Sequence, residues 1–356
     1  MAELILAIKP GSTSTKLGLY ENLEEIFTET VSHNANELKD FKKITDQMEL
    51  RLSYILDFLE KKDIELEKLS AVVGRGGLLK AIPGGTYNVN EKMIEDLKKG
   101  VQGEHASNLG GLLAKALADK VNIPSYIVDP VVVDELQAEA RLSGLPEIER
   151  VSIFHALNQK AVARKYANEK DKDYNELSVI VAHLGGGISV GLHKNGKVVD
   201  VNDALSGEGP FSPNRSGGLP TFDLFEMCYS KEYSYDDIKK KLVGQGGVMG
   251  YLGTNDMIEV EKKVENGDEK AKLVFDSMVY QTAKEIGSLA PVNNGDIEAI
   301  ILTGGIAYSD YFVNNIKEAV EFIAPVTVYA GEEELKSLAA GAYRKKKKKE
   351  EAKDYN

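Results

Sequence analysis

Two arginines of this chain sit beside glycines, Arg75 in VVGRGG and Arg215 in SPNRSGG. A guanidinium offers paired N–H donors matched to a carboxylate or phosphoryl group, and neighbouring glycines leave room for that group to approach. Such donors stabilise the charge that develops when a phosphoryl group is transferred. The plain alternative for either arginine is a surface salt bridge. Four glycine-rich turns follow apolar runs, at Gly11 to Ser14, Gly185 to Gly187, Gly244 to Gly250 and Gly304-Gly305. Glycines let successive N–H groups line a concavity that takes an anion. Spread over both halves of the chain, the four turns imply either an extended phosphate or nucleotide site or close packing.

Three further residues belong with these. His183, in VIVAHLGGG, ends an apolar run and precedes a turn, so its imidazole is placed either to donate to a phosphoryl oxygen or to sit satisfied near the core. Asp129 follows the run YIV; a carboxylate there can orient a phosphate acceptor, coordinate magnesium or cap a turn. Glu333, in AGEEELKSLAAG, can hold Mg²⁺, a hard cation that prefers oxygen, or balance a helix N-terminus. His155, in SIFHALNQK, falls in an expected helix and reads as structural.

The chain lacks the G-x-x-x-x-G-K-[ST] loop, a strand-linked G-x-G-x-x-G, H-E-x-x-H and G-x-S-x-G, which removes the usual sequence support for several enzyme classes. Its single cysteine, Cys228, excludes an intrachain disulfide framework and a cysteine metal cluster. A net charge of −12 argues against broad attraction to nucleic acid or an anionic membrane, so an anionic substrate needs a locally positive pocket. The start MAELILAIKPG does not read as a signal peptide and no apolar run is long enough to cross a membrane. The expected location is therefore cytoplasmic.

Positioning these residues requires strands that end at them. Leu4 to Ile8 reads as a strand, with Thr15 to Tyr20 returning antiparallel, and SAVVGRGG as a buried strand delivering Arg75. IPSYIVDPVVVDE carries a strand to Asp129. Helical periodicity covers residues 40 to 61, 91 to 98, 105 to 120 and 153 to 168. The polar stretch EKDKDYNEL at 169 to 177 is the expected linker, after which strand, turn and strand recur, with Asn195-Gly196 as a hairpin turn. Beyond a Gly/Pro-rich insertion at 207 to 221, helices are expected at 222 to 243 and 255 to 289, then the strand EAIILTGGIA. A last helix at 332 to 348 opens acidic and ends at the run Lys345 to Lys349, as the helix dipole favours.

In this order, GSTSTK, HLGGG, RSGG and GGI resemble the acetate and butyrate kinase family, nearer its butyrate branch, across almost the whole chain. The resemblance implies an α/β fold with the duplicated ribonuclease-H-like core of the sugar kinase, Hsp70 and actin superfamily, as two domains around a cleft. One would span 1–168, completed by the C-terminal helix 332–348, and the other 176–331. It implies reversible phosphoryl transfer from ATP to butyrate or a related short-chain or branched carboxylate, with Mg²⁺, in a homodimer. Acetate or propionate is the alternative substrate, and an ATP-binding regulatory protein the alternative class. Arg75 and Arg215 would hold carboxylate and phosphoryl group, His183 would stabilise phosphoryl oxygens, Asp129 would align the reactants and Glu333 would associate with magnesium. Lys9, Gly11, Ser12, Ser14 and Lys16, with Gly185, Gly186 and Gly187, would face phosphates, and Gly304, Gly305 and Ile306 the adenosine. One departure stands out: Lys9 occupies the place where the family commonly has asparagine.

Overall fold

The computed structural model describes residues 2–39 and 41–356. The chain runs β1 (Leu4–Pro10), β2 (Ser14–Glu21), β3 (Glu24–Ser32), α1 (Ala35–Leu38), α2 (Met48–Lys61), β4 (Ala71–Arg75), β5 (Thr86–Asn88), α3 (Glu91–Lys99), α4 (Asn108–Lys120) and β6 (Ser125–Val128). It continues α5 (Ala138–Arg141), α6 (Ala156–Glu169), β7 (Ser178–Leu184), β8 (Ile188–Lys194), β9 (Lys197–Val201), α7 (Thr221–Tyr229), α8 (Tyr235–Leu242), α9 (Gly247–Leu252), α10 (Met257–Glu265) and α11 (Glu269–Leu289). β10 (Ala299–Gly304), α12 (Asp310–Val320), β11 (Val326–Ala330) and α13 (Glu334–Lys346) complete it.

Two compact units divide these elements. The first runs to Val133 and resumes at Glu333, so α13 belongs to it, and the second is Asp134–Glu332. The polar stretch at 169–177, expected as the linker, lies inside the second unit. There Val162, Ala163, Tyr166 and Ala167 of α6 pack on Val179 and Val181 of β7 and on Ala299 and Ile301 of β10. Burial of that apolar helix face ties residues before the polar stretch to the sheet after it.

In the first unit the strand order is β3-β2-β1-β4-β6-β5. β1 pairs antiparallel with β2 and parallel with β4, and β4 pairs parallel with β6. Leu6 and Ile8 of β1 and Val72 of β4 pack with Leu52, Ile55 and Leu59 of α2 and with Leu109, Leu113 and Leu117 of α4. Side chains alternate across a strand, and α13 packs over β1, β2 and β4. The segment after α13 returns to the same unit, where the buried Tyr355 donates its hydroxyl to Asp96 at 2.8 Å and accepts from the Lys80 N–H at 3.2 Å.

The second sheet has the order β11-β10-β7-β8-β9, so β9-β8-β7-β10-β11 repeats β3-β2-β1-β4-β6 in both order and direction. β7 is buried on both faces: Ile180, Ala182 and Leu184 face α11 and α12, while Val179 and Val181 face α6. That continuous burial explains why its sequence is an unbroken apolar run until His183.

Several elements differ from the sequence-based expectation. Asp40, where the first helical pattern was expected to begin, lies outside the described residues, and α2 starts at Met48. The expected helix at 222–243 is two helices, broken where Lys231 takes φ +66°, with a capping box at Ser234 and Asp237 starting the second. The one at 255–289 breaks at Gly267, φ +83°, after which Asp268 caps α11. β3 and β5 were not anticipated. Among the described residues no helix is long and apolar enough to cross a membrane.

The end of β4 touches α4 backbone to backbone: a Cβ added at Gly110 would run into the Arg75 carbonyl, and one at Gly74 into the Gly110 carbonyl. A glycine-to-alanine change in a helix ordinarily gains about 1 kcal/mol. Gly110→Ala is expected instead to destabilise by about 1–3 kcal/mol through overpacking, whereas Gly287→Ala in α11, where the added methyl meets open space, is expected to be neutral or stabilising. Urea unfolding of the two variants checks this, and equal midpoints would contradict it.

Candidate functional site

The edge of the first sheet where β1, β4 and β6 end carries one group of the expected residues. β1 and β4 stay in parallel register to Ile8 and Gly74, which brings Lys9 and Arg75 to the strand ends together. Glu334, at the start of α13, forms ion pairs with both, to Lys9 and, at 3.5 Å, to Arg75. The Arg75 side chain keeps 29% of its surface exposed, and of its five N–H donors the Glu334 carboxylate faces one nitrogen. Asp129 directly follows β6, whose Val128 is the register partner of Arg75. It is buried at φ +37°; its Oδ1 accepts from Gly85 N–H at 2.7 Å and its own N–H donates to Gly85 O at 3.0 Å. Asp129 thus holds the loop before β5.

The β1–β2 turn lies beside them. Gly11 N–H donates to Ser14 O at 2.7 Å, and Ser12 and Thr13 form an exposed tip. Lys16 is exposed on β2, opposite Lys9 in the register. Beneath the turn lies a residue that sequence reasoning passed over. Arg51 of α2 is fully buried, and its guanidinium donates to the carbonyls of Gly11, Ser12 and Ser14 at 2.7, 2.8 and 3.2 Å. The available signal was its spacing: Arg51, Ile55 and Leu59 recur every four residues on the buried face of α2. His33 is also buried, with Nε2 2.8 Å from Thr15 Oγ1, and burial, with the Arg51 charge behind it, lowers its pKa to about 4.

The corresponding edge of the second sheet carries the other group. His183 sits one residue before the end of β7, as Lys9 does in β1. Its Nδ1 lies 2.8 Å from Asn158 Oδ1 and its Nε2 3.1 Å from Glu332 Oε1, so both ring nitrogens face oxygen acceptors. The His155 ring stacks on it, centroids 3.7 Å apart and planes within 11°. His155 is held in turn, with Nδ1 2.9 Å from Ser189 Oγ, which accepts from Gln159 Nε2 at 2.8 Å. One turn of α6 therefore supplies the supports of both imidazoles, a role that the structural reading of His155 did not anticipate.

The Gly185–Gly187 turn follows, closed by Gly185 N–H to Gly187 O at 3.1 Å, and Ser212 donates to Gly186 O at 2.6 Å. Arg215 lies against Gly187 so closely that a Cβ there would enter its guanidinium. Its Nη1 donates to Ala204 O, while its ε N–H is buried without a partner. Burial pulls the Arg215 pKa below the ordinary arginine value, with Asp203 opposing. Burial likewise raises the Asp203 carboxyl, against N–H bonds from Leu205 and Ser206. Gly304, φ +90°, ends β10 against the Leu184 backbone, where a Cβ would clash; Gly305 is exposed and Ile306 buried.

Glu333 forms no ion pair with either group. It precedes α13 as its N-cap residue, 65% exposed, with Lys336 3.4 Å away, while its neighbours Glu332 and Glu334 reach His183 and Lys9. Among the described residues no three His, Cys, Asp or Glu side chains form a metal-binding cluster. Magnesium commonly takes only one or two carboxylates, the rest of its shell being water and substrate phosphates. A single, largely exposed carboxylate such as Glu333, paired with Lys336 of its own helix, fits that pattern.

Comparisons with known proteins bear on these groups. A family model described as the Acetokinase family matches residues 147–335. The chain is 54% identical over 351 residues to butyrate kinase 2 of Clostridium acetobutylicum, covering 99% of each chain. It is also 54% identical over 355 residues to a probable butyrate kinase of Clostridium botulinum, covering 100% of each. Among solved structures, acetate kinase of Porphyromonas gingivalis superposes with a TM-score of 0.78 at 18% identity, covering 95% of this chain and 98% of that one. A propionate kinase from Francisella tularensis gives 0.73 at 20%, covering 94% and 98%. These two likenesses establish the shared fold.

The low His33 pKa makes stability depend on pH. Between about pH 4 and 6.5 the unfolded chain binds a proton at this position that the folded chain does not, so stability rises with pH across that window and is lost as pH falls through it. The full shift corresponds to roughly 3 kcal/mol. Urea midpoints between pH 7 and 4 are expected to fall less steeply for His33→Gln than for the wild type; parallel profiles would contradict the assignment.

Proposed function

The chain belongs to the acetokinase family, and from that premise we propose that it transfers the γ-phosphoryl group of ATP to butyrate, giving butyryl phosphate and ADP. The observation that carries this reading is the 54% identity with a butyrate kinase over 99% of both chains, a span that includes both units.

A carboxylate is already anionic near neutral pH and attacks without a base. One of its oxygens bonds to the γ-phosphorus while the bond from that phosphorus to the β–γ bridging oxygen breaks, the electron pair leaving with ADP. No proton need move. The obstacle is the approach of two anions, so catalysis rests on positioning and positive donors. Arg75 and Lys9 supply cationic donors in the first unit, with Arg75 free to present a fork to a carboxylate. Arg215, whose ε N–H has no partner, and His183 supply donors in the second, and the Gly185–Gly187 turn gives phosphoryl oxygens access to backbone N–H groups. Asp129 acts as an aligning residue by fixing the Gly85 loop beside Arg75. Gly304, Gly305 and Ile306 are assigned to the adenosine, and Gly11, Ser12, Ser14 and Lys16 to phosphate. Glu333 is the residue assigned to Mg²⁺, which when bound would neutralise charge on the phosphate oxygens.

We further propose a homodimer. α7 has no buried residue, and Phe222, Phe225 and Tyr229, each more than half exposed, contact one another with ring centroids 6.0 and 4.8 Å apart. Three such rings present on the order of 300–400 Å² of largely apolar surface, the scale at which a patch on a soluble chain marks an interface. A second copy offers a matching face through two-fold symmetry.

Acyl phosphate formed from acetate, propionate, butyrate and isobutyrate at equal concentration tests the activity. Butyrate is expected to be favoured, and Arg75→Ala and Arg215→Ala each to lower kcat/KM by about 100-fold or more with the circular dichroism spectrum unchanged; no acyl phosphate from any acid would sink the reading. For the dimer, light scattering of Phe222→Glu/Phe225→Glu should give the monomer mass where the wild type gives twice that, and a monomeric wild type would refute it.

A further inference from the structure

The five N–H donors of Arg51 meet five acceptor contacts. Nε and Nη2 reach Gln47 Oε1 at 3.1 and 2.8 Å, Nη2 also reaches Ser12 O, and Nη1 reaches Gly11 O and Ser14 O. Nothing acidic is among these partners, and among the described residues no carboxylate forms an ion pair with it. A fully buried guanidinium without a counter-ion is costly. Burial accordingly draws its pKa down from the ordinary arginine value, and the nearby His33 is held neutral near pH 7.

The geometry of the peptide unit turns this into a statement about the other side of the turn. C=O and N–H of a trans peptide point in opposite directions. With the carbonyls of Gly11 and Ser12 drawn onto Arg51, the following N–H groups, of Ser12 and Thr13, point away from it, and among the described residues neither has a hydrogen-bond partner. Two free, similarly directed N–H groups backed by an unneutralised positive charge make an anion cradle. We infer that Arg51 is a positioning residue for phosphoryl transfer: it sets the Gly11–Ser14 turn so that the N–H groups of Ser12 and Thr13 face a phosphoryl group and supplies the charge behind them. This rests on the kinase reading above and adds to it a residue that never touches substrate.

Lysine retains the charge but not the planar fork, so Arg51→Lys in the full chain is the discriminating variant. The expected result is a folded protein whose kcat/KM for MgATP falls by about 10- to 100-fold while the KM for butyrate stays within about twofold. Methylguanidinium should partly restore Arg51→Ala, and ethylammonium should not. Independently of turnover, hydrogen exchange at Ser12 and Thr13 should slow when MgADP is added to the wild type and stay unchanged in Arg51→Lys. If the wild type forms no acyl phosphate, the kinase reading falls and the exchange result still judges Arg51. Wild-type kinetic constants in folded Arg51→Lys, or no protection of Ser12 and Thr13 in the wild type, would overturn the inference. Should Arg51→Lys fail to fold, Gln47→Leu, which removes two of the five contacts, is read by the same kinetics and exchange, and unchanged values would overturn it equally.

Discussion

In each sheet the first strand is bonded on one side to its own hairpin partner and on the other to a parallel strand, and that arrangement places the candidate chemistry. A hairpin turn must leave the sheet at the edge where the first strand ends, and a parallel neighbour ends at the same edge. Lys9, the Gly11–Ser14 turn and Arg75 therefore come together at one edge, as His183, the Gly185–Gly187 turn and Gly304 do at the other. Because the hydrogen-bond register fixes these neighbours, they need no long side-chain scaffolding. They need small residues where backbones meet, which is why Gly74, Gly110 and Gly304 stand where a Cβ has no room.

Support for the polar groups comes from the layer beneath. Arg51 on α2 holds the first turn by its carbonyls, and Asn158 and Gln159 on α6 hold His183 and the partner of His155. In both units a helix that buries an apolar face also places polar groups among its buried positions. α6 buries a third polar side chain next to these two. Lys160, 2% exposed, meets Glu135 at 2.8 Å and donates to Gly196 O at 3.2 Å, a pair that is costly to bury and costlier to break.

The strands that carry chemistry were legible in the sequence because they are buried on both faces and so read as apolar runs, ending visibly at Arg75 and His183. β3, with the sequence EEIFTETVS and mostly exposed or half-buried, carries no such run, and β5 is three residues long, too short for periodicity to register. Glycine beside arginine was a usable sign because it reflects local room. The duty of Arg51 was hidden, since the turn carbonyls it holds lie about 40 positions away along the chain and only tertiary packing connects them. The run of three glutamates shows the same limit. Composition marks an acidic helix start, but the bend into α13 sends Glu332 to His183 and Glu334 to Lys9 and Arg75 and leaves Glu333 in solvent.

The first unit closes with residues that follow the whole of the second unit in the chain. α13 covers its sheet and Tyr355 sits buried between Asp96 and Lys80, whereas the second unit is continuous in the chain. On the ribosome, where folding usually proceeds from the N-terminus, the order is inverted: the later-born half can reach its native core while the earlier one still waits for its covering helix. During that interval the sheet has α2 and α4 against it, while the part of β1, β2 and β4 that α13 packs over still lacks its cover.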